Sequence, residues 1–390
     1  MKPALRAFQG SLRREIAFLA AHFWDRALLS LAPLALMALL AVEMSSGVMR
    51  DLPVVVVDAD ASALSRELVR RLDAAPALKV VEQTGDMAAG ERLVRMRRAY
   101  LLVFIPAEVT RDVLRGETGK ITLFFNASYA TPSGAALREA SNVISAYAGE
   151  LSARQTAAIV GPGKVRAAPL GARTTVLHNP QGSYELQLVG LLHPAMLHLV
   201  FMVAVVSALG RELRDGAMGA WLNGSTGENL ARVAGKLTPY LAAFMAWGLA
   251  ACLYLATVRG WPIAGSLAMV MAGYAAMYLA YVGVALLFVG LTASMAQSLS
   301  LTGIYAGASF AFAGAIFPVE SASAFARVWS ALLPFTAFAN LWAEQFVMAS
   351  PVAVSLRQIL VLLVFLAVGA AIGLPRYLHA AQRPDLWGKR

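Results

Sequence analysis

Two regions of this sequence run for long stretches without a single Asp, Glu, Lys or Arg. The block between them, from about Glu43 to Glu185, has the make-up of an ordinary globular domain. A bilayer core holds no water to satisfy an open backbone, so only helices or closed barrels can cross it. Uncharged runs of about 20 residues therefore read as membrane helices. Composition agrees: 58% of the 390 residues are hydrophobic and 14% charged, against about 25% charged in a soluble domain. The expected fold is an α-helical polytopic membrane protein of about six spans with an inserted extracytoplasmic α/β domain.

Along the chain this divides into five parts. Residues 1–25 form an amphipathic cytoplasmic elbow helix, with Leu5, Phe8, Leu12, Ile16, Leu19 and Phe23 at helical spacing while Arg6, Arg13 and Arg14 avoid that stripe. Such a helix suits the headgroup layer, the other reading being an extension of the first span. Residues 26–43 are that span, uncharged between Arg26 and Glu43 and with Pro33 inside. No cleavage site follows Val42, so the segment reads as an uncleaved anchor.

Residues 44–186 alternate strand and helix patterns. Leu52 to Asp58, Leu78 to Val81, Tyr100 to Ile105 and Lys120 to Asn126 read as strands, with helices opening at Ser62, near Met87, at Ala107 and at Pro132. Thr174 to Leu177 is a candidate last strand, and the sheet should be largely parallel or mixed. This block carries 17 basic and 15 acidic residues, and long loops translocate regardless of charge.

Residues 187–375 form a five-helix bundle, with spans at Gln187 to Gly210, Leu237 to Val258, Ile263 to Gly290, Ser298 to Phe317 and Leu356 to Leu374. Within it, 211–236 is a loop carrying Arg211, Arg214, Arg232 and Lys236, and residues 376–390 are a basic tail. Basic loops stay in the cytoplasm. An even number of crossings places both termini there, in agreement with their charge. The net charge of +10 thus reads as membrane anchoring, and no nucleic-acid module accompanies it. Trp24, Trp247, Trp261, Trp329, Trp342 and Trp387 read as interfacial anchors.

The chemistry of a catalyst is missing. Gly163-Lys164 and Gly235-Lys236 lack the glycine that a Walker A phosphate loop needs, and no metalloprotease helix or serine elbow occurs. His193 and His198 are five residues apart, hence on different helix faces, and fit headgroups or water better than a metal. Cys252 is the sole cysteine, so neither a disulfide nor a thiolate site can be built. The spans lack the buried carboxylate of an ion-coupled carrier, with Glu320 and Glu344 placed in an external connection. Transport energy would have to come from a partner.

The polar stretch Arg211, Glu212, Arg214, Asp215, followed by Met218, Trp221 and Leu222 at helical spacing, is the most informative. Spacing alone leaves two readings: a helix that docks into a cytosolic partner, or an ordinary interfacial loop. Three sets of residues then carry a family likeness. They are Val54 to Ser62 after the first span; Asn179-Pro180 with Arg211-Glu212 and Gly235-Lys236-Leu237-Thr238-Pro239-Tyr240; and Gly314-Ala315-Ile316-Phe317-Pro318 with Pro334-Phe335-Thr336.

In order and spacing these resemble a type-2 permease of ATP-binding-cassette (ABC) exporters, of the subgroup with a large domain between the first two spans. The resemblance implies a second permease subunit, identical or not, and a cytosolic ABC ATPase that binds the ATP. No cofactor is expected on this chain. It also implies that Arg211 to Leu222 is the coupling helix, and that Phe317, Pro318 and Pro334 lie near the exit. Ala217 and Ala220 depart from the family pattern, which commonly has Thr and an acidic residue there.

The function expected is a permease subunit of an inner-membrane exporter. Hydrophobic or amphipathic cargo, membrane lipid contact and a periplasmic adaptor are the accompanying expectations. The alternative is an envelope assembly or sensing protein acting through its external α/β domain.

Overall fold

The computed structural model describes residues 2–44, 49–115, 117–160, 184–314 and 319–388. It divides into two compact units, Met1–Ser45 with Glu185–Arg390, and Ser46–Tyr184.

The chain opens with α1 (Lys2–Ala21), α2 (Phe23–Leu29) and α3 (Leu31–Glu43). The last two meet at a bend of 40° and together are long and apolar enough to count as one broken span. The apolar stripe expected on α1 is shared between two surroundings: Leu19 is buried in the bundle, whereas Leu5, Ile16 and Phe23 are exposed.

In the second unit, β1 (Leu52–Asp58), β2 (Leu78–Thr84), β3 (Leu101–Ile105) and β4 (Thr122–Phe125) form one sheet in the order β2-β1-β3-β4. β1 runs parallel to β2 and β3, and β4 is antiparallel to β3. The run Val54 to Val57 is fully buried, as a central strand covered on both faces requires. Val54 and Val56, with Leu101 and Val103, pack under α4 (Ala63–Asp73), while Val55, Val57 and Leu102 face α5 (Met87–Arg95).

Ser62 and Ser65 close a reciprocal cap on α4 at 3.0 and 2.9 Å, which satisfies two otherwise orphaned N–H groups. A methyl at Gly90 would lie 2.6 Å from the Val57 side chain, so only glycine lets α5 rest this close to the sheet. α6 (Val109–Leu114) is short, and α7 (Ala130–Val160) adds Ala136, Ala140 and Tyr147 to the α4 side. The strand proposed at Thr174 to Leu177 and the pair Asn179-Pro180 lie outside the described residues.

The first unit continues with α8 (Tyr184–Arg214), α9 (Met218–Trp221), α10 (Thr226–Leu253), α11 (Leu267–Thr292), α12 (Met295–Gly307) and α13 (Ser309–Phe312). It ends with α14 (Ala324–Ala331), α15 (Pro334–Trp342) and α16 (Val352–Ala380). Among the described residues, four stretches are long and apolar enough to cross a membrane: Leu188–Arg214, Thr226–Val258, Leu267–Thr292 and Val352–Ala380; the bent α2–α3 pair makes up to five.

The span expected at Ser298 to Phe317 differs. The helix breaks at Ala308, leaving 13 residues in α12, which reach about 20 Å of a hydrocarbon core of about 30 Å. Gly303 and Gly307, which weaken a helix by backbone freedom, precede the break. The interval 211–236 is also less of a loop than its charge suggests, because α8 runs to Arg214 and α10 begins at Thr226 under a Ser225–Glu228 capping box.

A methyl on Gly303 or Gly307 would meet open space, whereas small residues bring helices together between α11 and α16. A methyl on Gly290 would lie 2.3 Å from the Gly373 carbonyl, and one on Gly283 would lie 2.8 Å from the Leu366 Cα. α11 and α16 therefore touch backbone to backbone. His193 and His198 are buried rather than set among headgroups or water. His198 stacks between Tyr281 and Phe335, at 4.6 and 4.8 Å between centroids, and its Nδ1 lies 3.0 Å from the Pro194 carbonyl. Trp342 is likewise a core residue, stacked on Phe346 at 4.5 Å and pressed against Gly190.

Candidate functional site

Where α1, α8 and α10 meet, six charged side chains interlock. Glu15 of α1 accepts from Lys236 Nζ at 2.6 Å, Arg211 at 2.7 Å and the Tyr240 hydroxyl at 2.6 Å. Lys236 also donates to Glu212 at 2.7 Å, and Arg14 closes on the same Glu212 at 2.9 Å. Arg211 reaches Asp25 at 3.3 Å and lies flat over the Phe18 ring, 3.4 Å from its centroid. Three cations thus answer three carboxylates.

The centre of this cluster is dry: the side chains of Lys236, Glu15 and Glu212 are 1%, 2% and 3% exposed. Burial alone would raise the carboxyl pKa of Glu15, but the charges of Lys236 and Arg211 and the donors around it hold it below the ordinary 4.5. A buried ion pair gains little over an apolar substitute, yet stripping one partner from it costs about 3–5 kcal/mol. The cluster therefore works as a lock between helices rather than as a general source of stability.

Local sequence sets the geometry. Arg211 and Glu212 are consecutive at the end of α8, so one turns to Glu15 and the other to Lys236. Gly235 lets α1 lie directly on α10, since a methyl there would stand 2.3 Å from the Phe8 carbonyl oxygen. Trp221 adds a further tie: its indole N–H donates to the buried Ser11 hydroxyl at 3.1 Å, and Lys236 sits 5.1 Å from the ring.

The stretch singled out by sequence is thereby split. Arg211 and Glu212 are inside the lock, and Met218, Trp221 and Leu222 are buried in the core of their own unit. Arg214 and Asp215 remain exposed and pair with each other at 2.7 Å. Pro334 is the buried first residue of α15, and Phe317 and Pro318 lie outside the described residues.

Sequence reasoning missed Glu15, Lys236 and Tyr240 as members of one site. The available signal was Glu15 itself, a charge four residues after Ser11 and four before Leu19, on the side of α1 that faces the bundle. Two hollows flank the segment after α9. One, of about 710 Å³, lies between α1 and the start of α10; the other, of about 740 Å³, is lined by Leu222, Leu230, Leu374, Pro375 and Leu378.

Long apolar helices tied together at one end by a charged lock are the architecture of a multi-pass membrane protein. The profile of the ABC-2 family transporter proteins matches residues 27–374, and the chain belongs to that family. It is accordingly the membrane component of an ABC transporter, a class whose members work with an ABC ATPase subunit. No curated protein and no solved structure matches the chain.

Proposed function

We propose that the chain is the permease subunit of an ABC exporter in the inner membrane. It crosses six times, with the bent α2–α3 pair as the first span and α12–α13 completing the fifth. Both termini and the turn after α8 face the cytoplasm, and the α/β unit lies outside. A separate ATPase binds the ATP and presses on the exposed residues between Arg214 and Ser225.

The observation that carries this reading is the lock. Arg211 and Glu212, immediately before that turn, are fixed through Glu15 and Lys236 to α1 and α10. A push on the turn is then delivered to several helices at once instead of being absorbed by a flexible loop. Two permeases, identical or not, enclose the path, and Pro334 stands near its outer end. Spans rich in Met, Phe and small residues suit hydrophobic or amphipathic cargo, and the external unit is placed to meet a periplasmic adaptor.

Extraction of the tagged chain in mild detergent should bring an ATPase with it, and inverted vesicles should accumulate cargo only with ATP. Repeated isolation without an ATPase, together with vesicles indifferent to ATP, overturns the reading.

A further inference from the structure

After α16 the tail folds back onto the turn that follows α8. It passes through a short helical turn, Pro384–Leu386, and Trp387 then lies half-buried against α9. A methyl on Gly219 would stand 2.6 Å from Cη2 of the Trp387 ring and 3.3 Å from the Ala381 carbonyl oxygen, so glycine is what leaves room for the indole. The indole N–H donates to the Ala380 carbonyl at 2.9 Å, which fixes the ring to the end of α16. One residue on, the Gly388 N–H donates to the Leu213 carbonyl at 3.0 Å. That carbonyl is among the last four of α8, which have no partner within their own helix. The tail thus grips the turn at both ends, Leu213 before it and Gly219 after it.

These contacts supply a link that the lock lacks. Glu15, Lys236 and Tyr240 join the end of α8 to α1 and α10, and none of the three lies on α16. Beside α9, the start of α10 and the end of α16 stand across the 740 Å³ hollow, with Leu222 and Leu230 on one side and Leu374 and Leu378 on the other. The Tyr377 hydroxyl does hold α16 to the Leu209 carbonyl at 2.8 Å, but on the shaft of α8, behind the turn. Trp387 reaches α9 itself. α16 in turn carries α11, backbone against backbone at Gly373 and Gly290.

We propose that Trp387 is a positioning residue that passes displacement of the turn into α16, and through it into α11. The inference rests on the reading of that turn as the place where the ATPase presses. The lock then moves α1 and α10, and the tail moves the α11–α16 pair with them.

The test uses the complex of the full chain with its ATPase, isolated in mild detergent. Hydrogen exchange is followed with and without magnesium, ATP and vanadate. In wild type the nucleotide should change exchange in α1, α10 and α16. Trp387→Ala should keep the ATPase and the responses of α1 and α10, while the response of α16 falls about threefold or more, as expected when one residue of a coupling path is removed. Gly219→Ala should do the same, because its methyl drives the indole away. Adding Trp387→Phe to Gly219→Ala should restore the response, since the smaller ring leaves space for the methyl. Arg383→Gln, which breaks only an exposed pair with Asp385, should change nothing. A tail that merely stabilised the fold would raise exchange with and without nucleotide alike and leave the difference intact.

An undiminished α16 response in Trp387→Ala overturns the inference and leaves the exporter reading standing. So does loss of the ATPase from that variant, which would make the tail a docking surface. A wild-type chain isolated without an ATPase, or helices that ignore nucleotide throughout, removes the exporter reading and this inference with it.

Discussion

The two units use ion pairs in opposite ways. In the α/β unit they are laid on the outside: Glu67 meets Arg70 and Arg71 along α4, and Glu150 meets Arg71 and Arg154 beside α7, all with solvent access. The core beneath is apolar. In the helical unit the same residue types are driven inside, where Glu15, Lys236 and Glu212 have almost no water. An exposed pair is screened and weak, whereas a buried one is indifferent as a whole and severe when halved. The buried charges of the helical unit thus hold three helices in one arrangement, whereas the pairs of the α/β unit stay on its surface, as Arg214–Asp215 and Arg383–Asp385 do in the helical unit.

Lys236→Met should separate the two regimes most sharply. It leaves Glu15 and Glu212 facing each other without the cation between them, and the expected loss is about 3–5 kcal/mol. That loss is read as a lowered unfolding midpoint in detergent and as faster trypsin cleavage at Arg13 and Arg14. A variant as stable as wild type would mean the lock is solvated after all.

Acid should release the same lock more gradually. The folded pKa of Glu15 lies below its ordinary 4.5, so its contribution is complete above that value and fades as pH falls through the folded pKa. Protection of α1 from an acid-active protease should hold steady from neutrality down to about pH 5 and weaken below about pH 4. Glu15→Gln should flatten this dependence; an unchanged profile would move the acid-sensitive group elsewhere.

The smallest effect is expected in the α/β unit. Glu67→Gln removes pairs to two arginines on a wet helix face and should leave the unfolding midpoint where it was. A clear shift there would erase the contrast between the units.

Much of this was legible in sequence wherever one residue's environment is set by its near neighbours. Val54 to Val57 announced a strand buried on both faces, Ser62 a helix start, and the uncharged runs the long helices. What escaped depends on meetings between distant segments. Arg211 and Glu212 look like a wet loop until Glu15 and Lys236 are brought to them, because a charge and its partner appear in sequence only as two charges.

The apolar face of Met218, Trp221 and Leu222 reads equally well outward or inward, and it is the Ser11 hydroxyl on α1 that receives the Trp221 indole. The break at Ala308 escaped for another reason: hydropathy continues across it while the glycines before it loosen the helix.

The lock also imposes an order on how the chain is made. Glu15 waits for Arg211 across 196 residues and for Lys236 across 221, which at about 5–20 residues per second is roughly 10–45 s of synthesis. Until then a carboxylate on α1 has no counter-ion and has to stay in water, so α1 cannot settle while the ribosome is still producing the α/β unit. A nascent chain arrested before Arg211 should therefore show a protease-sensitive N-terminal helix, and one carried past Lys236 should not. The lock is in that sense a timer, closing only when the chain has grown long enough to supply both Arg211 and Lys236.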